Sequence, residues 1–122
     1  MGKRVLLIED EPNIIEAVSF ILSRDGWDVS THSNGHDAVG VVLAAPPDLL
    51  ILDVMLPGKS GFDILRELRE HHDAEALPVL MLTARGQLKD REMAERAGAS
   101  RFMTKPFSNS EVLEVVRELV SA

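Results

Sequence analysis

Three carboxylate side chains follow apolar runs at widely separated points of the chain. Glu9 and Asp10 come directly after one four-residue apolar run, and Asp53 comes directly after another. Carboxylates that share a site raise one another's pKa unless a cation compensates, and an all-oxygen site open to water favours a hard ion such as Mg²⁺. Taken alone, the run Glu9-Asp10-Glu11 could equally favour a helix N-terminus through its dipole, and Asp53 could begin a turn. Their combination predicts a metal site.

Two further polar residues, Thr83 and Lys105, follow later apolar runs. A hydroxyl can donate to one phosphoryl oxygen and an ammonium can neutralise another, while a metal takes a third, as phosphoryl transfer requires. Either residue alone has a structural interpretation, because a threonine can cap a helix and a lysine can be a solvated loop charge. Pro106 could fix Lys105 through a cis peptide bond, and the sequence leaves that isomer open. With the carboxylates, these residues predict phosphoryl chemistry.

Strand-like and helical patterns alternate five times along the chain, and these elements must position the site. The strand-like runs lie at 5–8, 27–31, 49–52, 79–82 and 102–103. Pro12 suits the first position of helix one, which Gly26 closes. Ser108 and Glu111 predict a capping box at the start of the last helix. The fourth helix, around 89–97, has the thinnest apolar face.

Such alternation predicts parallel strands joined by right-handed crossovers, in a doubly wound α/β fold with five helices on both faces of a five-stranded sheet. The flavodoxin-like strand order 2-1-3-4-5 fits best, because the long apolar runs fall on strands one, three and four, whereas strands two and five resemble edges. Ligands of such folds bind beyond the carboxyl ends of the strands at the switch point. We expect one domain across residues 1–122.

Composition narrows the possible function. Of the 122 residues, 45% are apolar and 27% are charged, and no apolar run approaches the roughly 20 residues that would cross a membrane. The first apolar run is too short for a secretory signal, so we expect a cytoplasmic protein without a membrane partner. The absence of cysteine excludes disulfides, thiolate metal sites and cysteine nucleophiles. The net charge of −7 argues against direct nucleic acid binding by this domain.

In the order and placement of these residues, the chain resembles the receiver domain of bacterial two-component response regulators over essentially its whole length. The matching residues are Glu9-Asp10, Asp53 with Pro57-Gly58, Thr83-Ala84 and Lys105-Pro106-Phe107. The resemblance implies that Asp53 takes a phosphoryl group from the phosphohistidine of a sensor kinase or a histidine phosphotransfer protein, or from a small donor. It also implies self-phosphorylation and slow dephosphorylation, without the substrate turnover of an enzyme.

The same resemblance implies which residues bind the metal and which change conformation on phosphorylation. Asp10, Asp53 and the backbone carbonyl of Met55 would bind Mg²⁺, or Mn²⁺ in its place, and Glu9 would act mainly through water. Thr83 would move toward the phosphoryl group and Phe102 would change rotamer with it, although plain edge-strand packing also accounts for that phenylalanine. Met55 and Arg85 occupy family positions that tune the lifetime of the phosphorylated form.

The resemblance further implies an output surface on helix four, strand five and helix five, which binds an effector of unknown identity. The chain could be a stand-alone regulator or a receiver from a longer protein. The pair Ser100-Arg101 lacks the acidic residues usual there in winged-helix regulators, which favours a stand-alone regulator.

Three other functions fit less well. A phosphatase of the haloacid dehalogenase type needs an aspartate two positions after its nucleophile, where Met55 stands. A flavin mononucleotide site would need a glycine- and hydroxyl-rich loop where the carboxylates stand. A receiver-like module that is never phosphorylated would not need all five site residues. The four histidines (His32, His36, His71 and His72) are interpreted as surface residues, and the charges at 67–70 as ordinary exposed helix charges.

Overall fold

The computed structural model describes residues 3–84 and 88–121, in which five β-strands alternate with five α-helices. The strands are β1 (Arg4–Ile8), β2 (Asp28–His32), β3 (Leu49–Asp53), β4 (Val79–Thr83) and β5 (Arg101–Thr104). The helices are α1 (Pro12–Arg24), α2 (Ala38–Ala44), α3 (Gly61–Glu70), α4 (Leu88–Ala97) and α5 (Asn109–Ser121). A 3-10 turn that the sequence did not predict follows α3 at His72–Ala74.

All four strand pairings are parallel, and the order is β2-β1-β3-β4-β5. This confirms the predicted doubly wound fold. Every residue of β3 and β4 is buried, whereas β2 is largely exposed, as expected for central and edge strands. Within these described residues no helix combines the length and apolar character needed to cross a bilayer.

The core has two layers, because successive side chains of a strand point to opposite faces. Val5, Leu7 and Ile51 join one cluster with residues of α1 and α5. Leu6 and Leu52 join the other cluster with residues of α2, α3 and α4. The sheet is therefore covered on both faces, and its carboxyl edge is left to the loops that carry the polar residues.

Local chemistry sets the helix ends. Pro12 is the first residue of α1, as predicted. The predicted capping box of α5 is confirmed, since the Ser108 hydroxyl accepts from the Glu111 N–H at 3.1 Å and the Glu111 carboxylate accepts from the Ser108 N–H at 3.1 Å. At α3 the Ser60 hydroxyl accepts from the Asp63 N–H. These caps fix where the helices leave the edge of the sheet.

Arg69 is not the ordinary exposed charge that the sequence indicated. Its guanidinium is partly buried between α3 and α4, and burial lowers its pKa. It donates to the carbonyls of Gly98 at 2.8 and 3.0 Å, of Ala74 at 2.8 Å and of Glu75 at 3.3 Å. It therefore supplies a charged donor to carbonyls at the end of α4 and around the 3-10 turn, although the Ala74 carbonyl also accepts from the Leu77 N–H at 3.3 Å.

Candidate functional site

The parallel register gathers the predicted site residues at one edge of the sheet. Ile8 pairs with Leu52, and Thr83 pairs with Thr104. Asp53 and Thr83 are the last residues of β3 and β4 rather than the first residues after them. Glu9 and Lys105 follow their strands directly. Four distant parts of the sequence thus meet at this edge of the sheet, as predicted.

Lys105 stands at the centre of this region. Its ammonium nitrogen lies 3.0 Å from Glu9 Oε1 and 3.1 Å from Asp53 Oδ1. The same nitrogen lies 3.4 Å from Glu11 Oε1. The lysine side chain is only 11% exposed, so its contacts with the buried Glu9 and Asp53 are shielded from bulk water, whereas Glu11 is exposed. The sequence interpretation placed Glu11 only among the acids at a helix N-terminus and did not predict its contact with Lys105.

Glu9 is completely buried, and backbone groups hold it in place. Its Oε2 accepts from the N–H groups of Asp10 at 3.0 Å and Glu11 at 3.1 Å, and its own N–H donates to the His32 carbonyl at 3.0 Å. Desolvation raises the pKa of Glu9, against the opposing effects of the Glu11 N–H and of Lys105. The carboxylate is fixed in position, and a nearby cation favours its ionised form.

Asp53 is 2% exposed, and desolvation likewise raises its pKa, although Lys105 and the Met55 backbone act in the opposite direction. Burial alone would lower the pKa of Lys105, but its interactions with Glu9 and Asp53 outweigh that effect and raise it. The three groups therefore depend on one another, because each carboxylate needs the cation to remain ionised where water is excluded.

Glu9, Asp10 and Asp53 each offer an oxygen within 4.8 Å of the others. Two of the buried oxygens, Glu9 Oε1 and Asp53 Oδ1, lie at ion-pair distance from Lys105 but accept no well-aligned hydrogen bond from the described residues. Buried oxygens without an aligned donor suit a hard cation, which needs no donor geometry. The donor set therefore fits Mg²⁺.

The structure places the remaining predicted residues as follows. Thr83 is buried at the end of β4, and the Lys105-Pro106 peptide is cis. The Met55 side chain is 67% exposed. Phe102 is half-buried against the core, with the Arg91 guanidinium 5.9 Å from its ring centroid. Its packing role is therefore observed, while its switching role stays a prediction. Arg85 lies outside the described residues.

One of the four histidines, His32, makes a close side-chain contact. His32, at the end of β2, is only 24% exposed, and its Nε2 lies 2.7 Å from Asp37 Oδ1. This contact lowers the pKa of Asp37. The acidic group suited to a metal contains no histidine.

A mostly apolar pocket of about 440 Å³ lies beside Lys105, between α1 and the segment that joins β5 to α5. Ile14, Ala17 and Phe107 line it, with Glu11 and Lys105 among its polar residues. The carboxylate site thus borders a surface that can seat apolar groups of another molecule.

Comparisons with known proteins agree with this geometry. The model of the response regulator receiver domain family matches residues 5–117. TcrX of Mycobacterium tuberculosis (strain ATCC 25618 / H37Rv), named a probable transcriptional regulatory protein, is 41% identical over 116 residues. These residues are 95% of this chain and 49% of TcrX, so the chain spans about half the length of this curated relative.

Solved structures show the same fold. The receiver domain of sensor histidine kinase PA1611 from Pseudomonas aeruginosa PAO1 superposes with a TM-score of 0.92 at 27% identity, over 100% of both chains. That structure has a magnesium ion coordinated in its active site cleft. The BeF3-activated N-terminal receiver domain of Klebsiella pneumoniae RstA gives a TM-score of 0.88 at 27% identity, over 98% of this chain and 99% of that one.

Proposed function

The chain belongs to the response regulator receiver domain family, and from this premise we propose that Asp53 accepts a phosphoryl group in a Mg²⁺-dependent reaction. The observation that carries the proposal is the buried Asp53 carboxylate, 3.1 Å from the Lys105 ammonium and grouped with Glu9 and Asp10. A carboxylate in a water-poor site, beside a fixed cation, suits an anionic reaction partner. The PA1611 receiver, with magnesium in its cleft, supports the metal assignment.

In the proposed reaction, an Asp53 carboxylate oxygen attacks the phosphorus atom of the donor. A bond between that oxygen and phosphorus forms as the bond from phosphorus to the donor's imidazole nitrogen breaks, and the electron pair leaves with the nitrogen. The Lys105 ammonium neutralises charge on one phosphoryl oxygen, and the Thr83 hydroxyl donates to another.

Asp10, Asp53 and the Met55 carbonyl would hold the metal directly, and Glu9 would hold it through water. When bound, Mg²⁺ or Mn²⁺ would supply charge neutralisation at the phosphoryl oxygens. Slow loss of the phosphoryl group to water would return Asp53 to its free form. The exposed Met55 side chain has no group that could act as a general acid or base, which disfavours a phosphatase.

The partners that we propose are a cytoplasmic sensor histidine kinase domain or a histidine phosphotransfer protein, and a downstream effector. The apolar pocket beside Lys105 supports donor docking, because a macromolecular donor needs contact surface next to Asp53. We propose that movements of Thr83 and Phe102 alter the surface of α4, β5 and α5, where the effector binds. The similarity to TcrX favours transcription as the output, with nucleic acid bound by another domain, over the stand-alone regulator that the sequence alone favours.

Incubation with acetyl phosphate tests the proposed reaction directly. Wild-type protein should gain the mass of one phosphoryl group with Mg²⁺, and little or none after chelation. Asp53→Asn should gain none under either condition, whereas Asp28→Asn, which removes an exposed charge at the opposite edge of the sheet, should react like the wild type. Phosphorylation of Asp53→Asn at wild-type rate would contradict the site assignment. Failure of the wild type with both acetyl phosphate and phosphohistidine donors would contradict the function.

A further inference from the structure

Gly61, the first residue of α3, packs directly against the backbone of Asp53. Its N–H donates to the Val54 carbonyl at 2.9 Å. A Cβ atom at this position would lie 2.3 Å from the Asp53 carbonyl oxygen and 3.0 Å from the Asp53 carbonyl carbon. The position requires glycine for reasons of space rather than of backbone angle, since any side chain would occupy the volume of the Asp53 peptide group.

Core packing holds α3 in place on one side of this contact, and hydrogen bonds between strands hold the Asp53 backbone in place on the other. Phe62, Ile64 and Leu65 bury the first turns of α3 in the core. On the other side, Asp53 is paired with Leu82 of β4, and the Val54 N–H donates to the Leu82 carbonyl at 2.9 Å. Cβ atoms essentially never approach within 3.0 Å of another heavy atom, whereas a Cβ at Gly61 would lie 2.3 Å from the Asp53 carbonyl oxygen. A methyl group at Gly61 would therefore displace either the Asp53 carbonyl or the start of α3 by roughly 0.7 Å.

We propose that Gly61 is a positioning residue for the phosphoryl acceptor, an inference that rests on the function proposed for Asp53. Because Gly61 has no Cβ, the start of α3 packs directly against the Asp53 peptide group. This contact fixes the backbone that carries the Asp53 carboxylate. That backbone sets the 3.1 Å separation of Asp53 Oδ1 from Lys105 Nζ and the spacing of the three metal-binding carboxylates. Substitution of Gly61 therefore weakens metal binding and phosphoryl transfer beyond its effect on stability.

Two other glycines supply matched controls. A Cβ at Gly35 would also lie 2.3 Å from a backbone carbonyl oxygen, but that oxygen belongs to Lys59, at the far end of the loop after β3. The steric conflict is the same, but it falls outside the carboxylate cluster. A Cβ at Gly40, within α2, would meet no atom within 4 Å, so Gly40→Ala gains helix propensity without conflict. It supplies a stabilised background for both variants.

The experiment compares G40A, G40A/G35A and G40A/G61A as full chains, at a temperature where circular dichroism shows them folded. Calorimetry measures the dissociation constant for Mg²⁺, and intact mass measures the rate of phosphoryl gain from acetyl phosphate. We expect G61A to weaken Mg²⁺ binding and slow phosphorylation by about 10-fold to 100-fold, since displacements approaching 1 Å have such effects in active sites. G35A should stay within about threefold of the background, because the carboxylates keep their spacing.

Equal Mg²⁺ affinities and rates for G61A and G35A would overturn the proposal. So would a G61A protein that does not fold even in the stabilised background, because the contact would then govern the fold and not the site. If the G40A background itself gains no phosphoryl group from either donor class, the function proposed for Asp53 fails. If the G40A background gains a phosphoryl group and G40A/G61A reacts and binds Mg²⁺ like G40A/G35A, the function proposed for Asp53 is supported and the positioning role of Gly61 is contradicted.

Discussion

The Asp53 carboxylate and the Lys105 ammonium face each other at 3.1 Å, although 51 positions separate them in the sequence. The aspartate ends the central strand β3, and the lysine follows the edge strand β5. Each side chain is less than one-eighth exposed. Removal of either partner would therefore leave a charge in a medium that solvates it poorly.

Lys105→Met should destabilise the protein by about 3 kcal/mol at neutral pH, because Glu9 and Asp53 would lose their common cation. Lys59→Met is the matched control. It breaks a partly exposed pair with Glu67 and should cost less than about 1 kcal/mol. Urea unfolding measures both values, and equal losses would show that Lys105 has no special role in stability.

The raised pKa values of Glu9 and Asp53 predict a pH dependence for the metal-free protein. A carboxyl group with a raised folded-state pKa binds its proton more tightly when folded. Its stabilising contribution is therefore complete below the ordinary pKa and is lost as the pH rises through the raised value. Since the ordinary values are 3.8 for Asp53 and 4.5 for Glu9, the loss should begin in the acidic range.

Comparison with Asp53→Asn isolates this effect from the other titrating groups. The free energy of unfolding of the wild type, minus that of the variant, should fall as the pH rises from the acidic range toward neutrality. Urea titrations at a series of pH values without divalent metal measure this difference. A difference that rises over the range would mean that the Asp53 pKa is lowered instead of raised.

Mg²⁺ should raise the midpoint of thermal unfolding, because the proposed site needs the carboxylates that folding gathers and that the unfolded chain disperses. Asp10→Asn should weaken this binding by about 10-fold or more, since it removes one charged ligand. Asp28→Asn carries the same change of net charge at the first residue of β2, away from the carboxyl ends of the strands, and should bind Mg²⁺ like the wild type. Calorimetric titration of the three proteins provides the test, and identical affinities would remove Asp10 from the metal site.

Arg69→Met should cost about 2 to 3 kcal/mol, because the carbonyls of Gly98 and Ala74 would lose a charged donor. Arg66→Met removes an exposed arginine of the same helix that pairs with Asp63, and it should cost less than about 1 kcal/mol. Urea unfolding supplies the two values. Hydrogen exchange should also accelerate in the last turn of α4 in Arg69→Met. Unchanged exchange there would mean that the hydrogen bonds from Arg69 to the Gly98 carbonyl do not stabilise the end of α4.

The strand order and the central site residues could be predicted from the sequence because polar residues interrupt long apolar runs there. Asp53 and Thr83 stand where continuous apolar patterns stop, and a parallel sheet brings such positions to one edge. The element boundaries were less accurate. Both residues belong to their strands, since the backbone ladder continues for one residue beyond the apolar pattern.

The roles of Gly61 and Arg69 could not be predicted in the same way. The requirement for glycine at 61 comes from a carbonyl of another element, and no local pattern reports such an approach. Arg69 lies among charged neighbours on an amphipathic helix, where exposure is the usual interpretation. Only the meeting of α3 with the end of α4 turns its side chain inward. Contacts between distant elements cannot be predicted from local sequence patterns, whereas polar residues at the ends of apolar runs can be recognised directly.

The parallel register has a consequence for the newly made protein. The cation that Glu9 and Asp53 share comes from Lys105, which follows both acids in the sequence. During synthesis, the first three strands leave the ribosome well before Lys105 does. A nascent chain therefore carries both acids without their ammonium partner, and the three-membered charge cluster forms only when translation has passed β5.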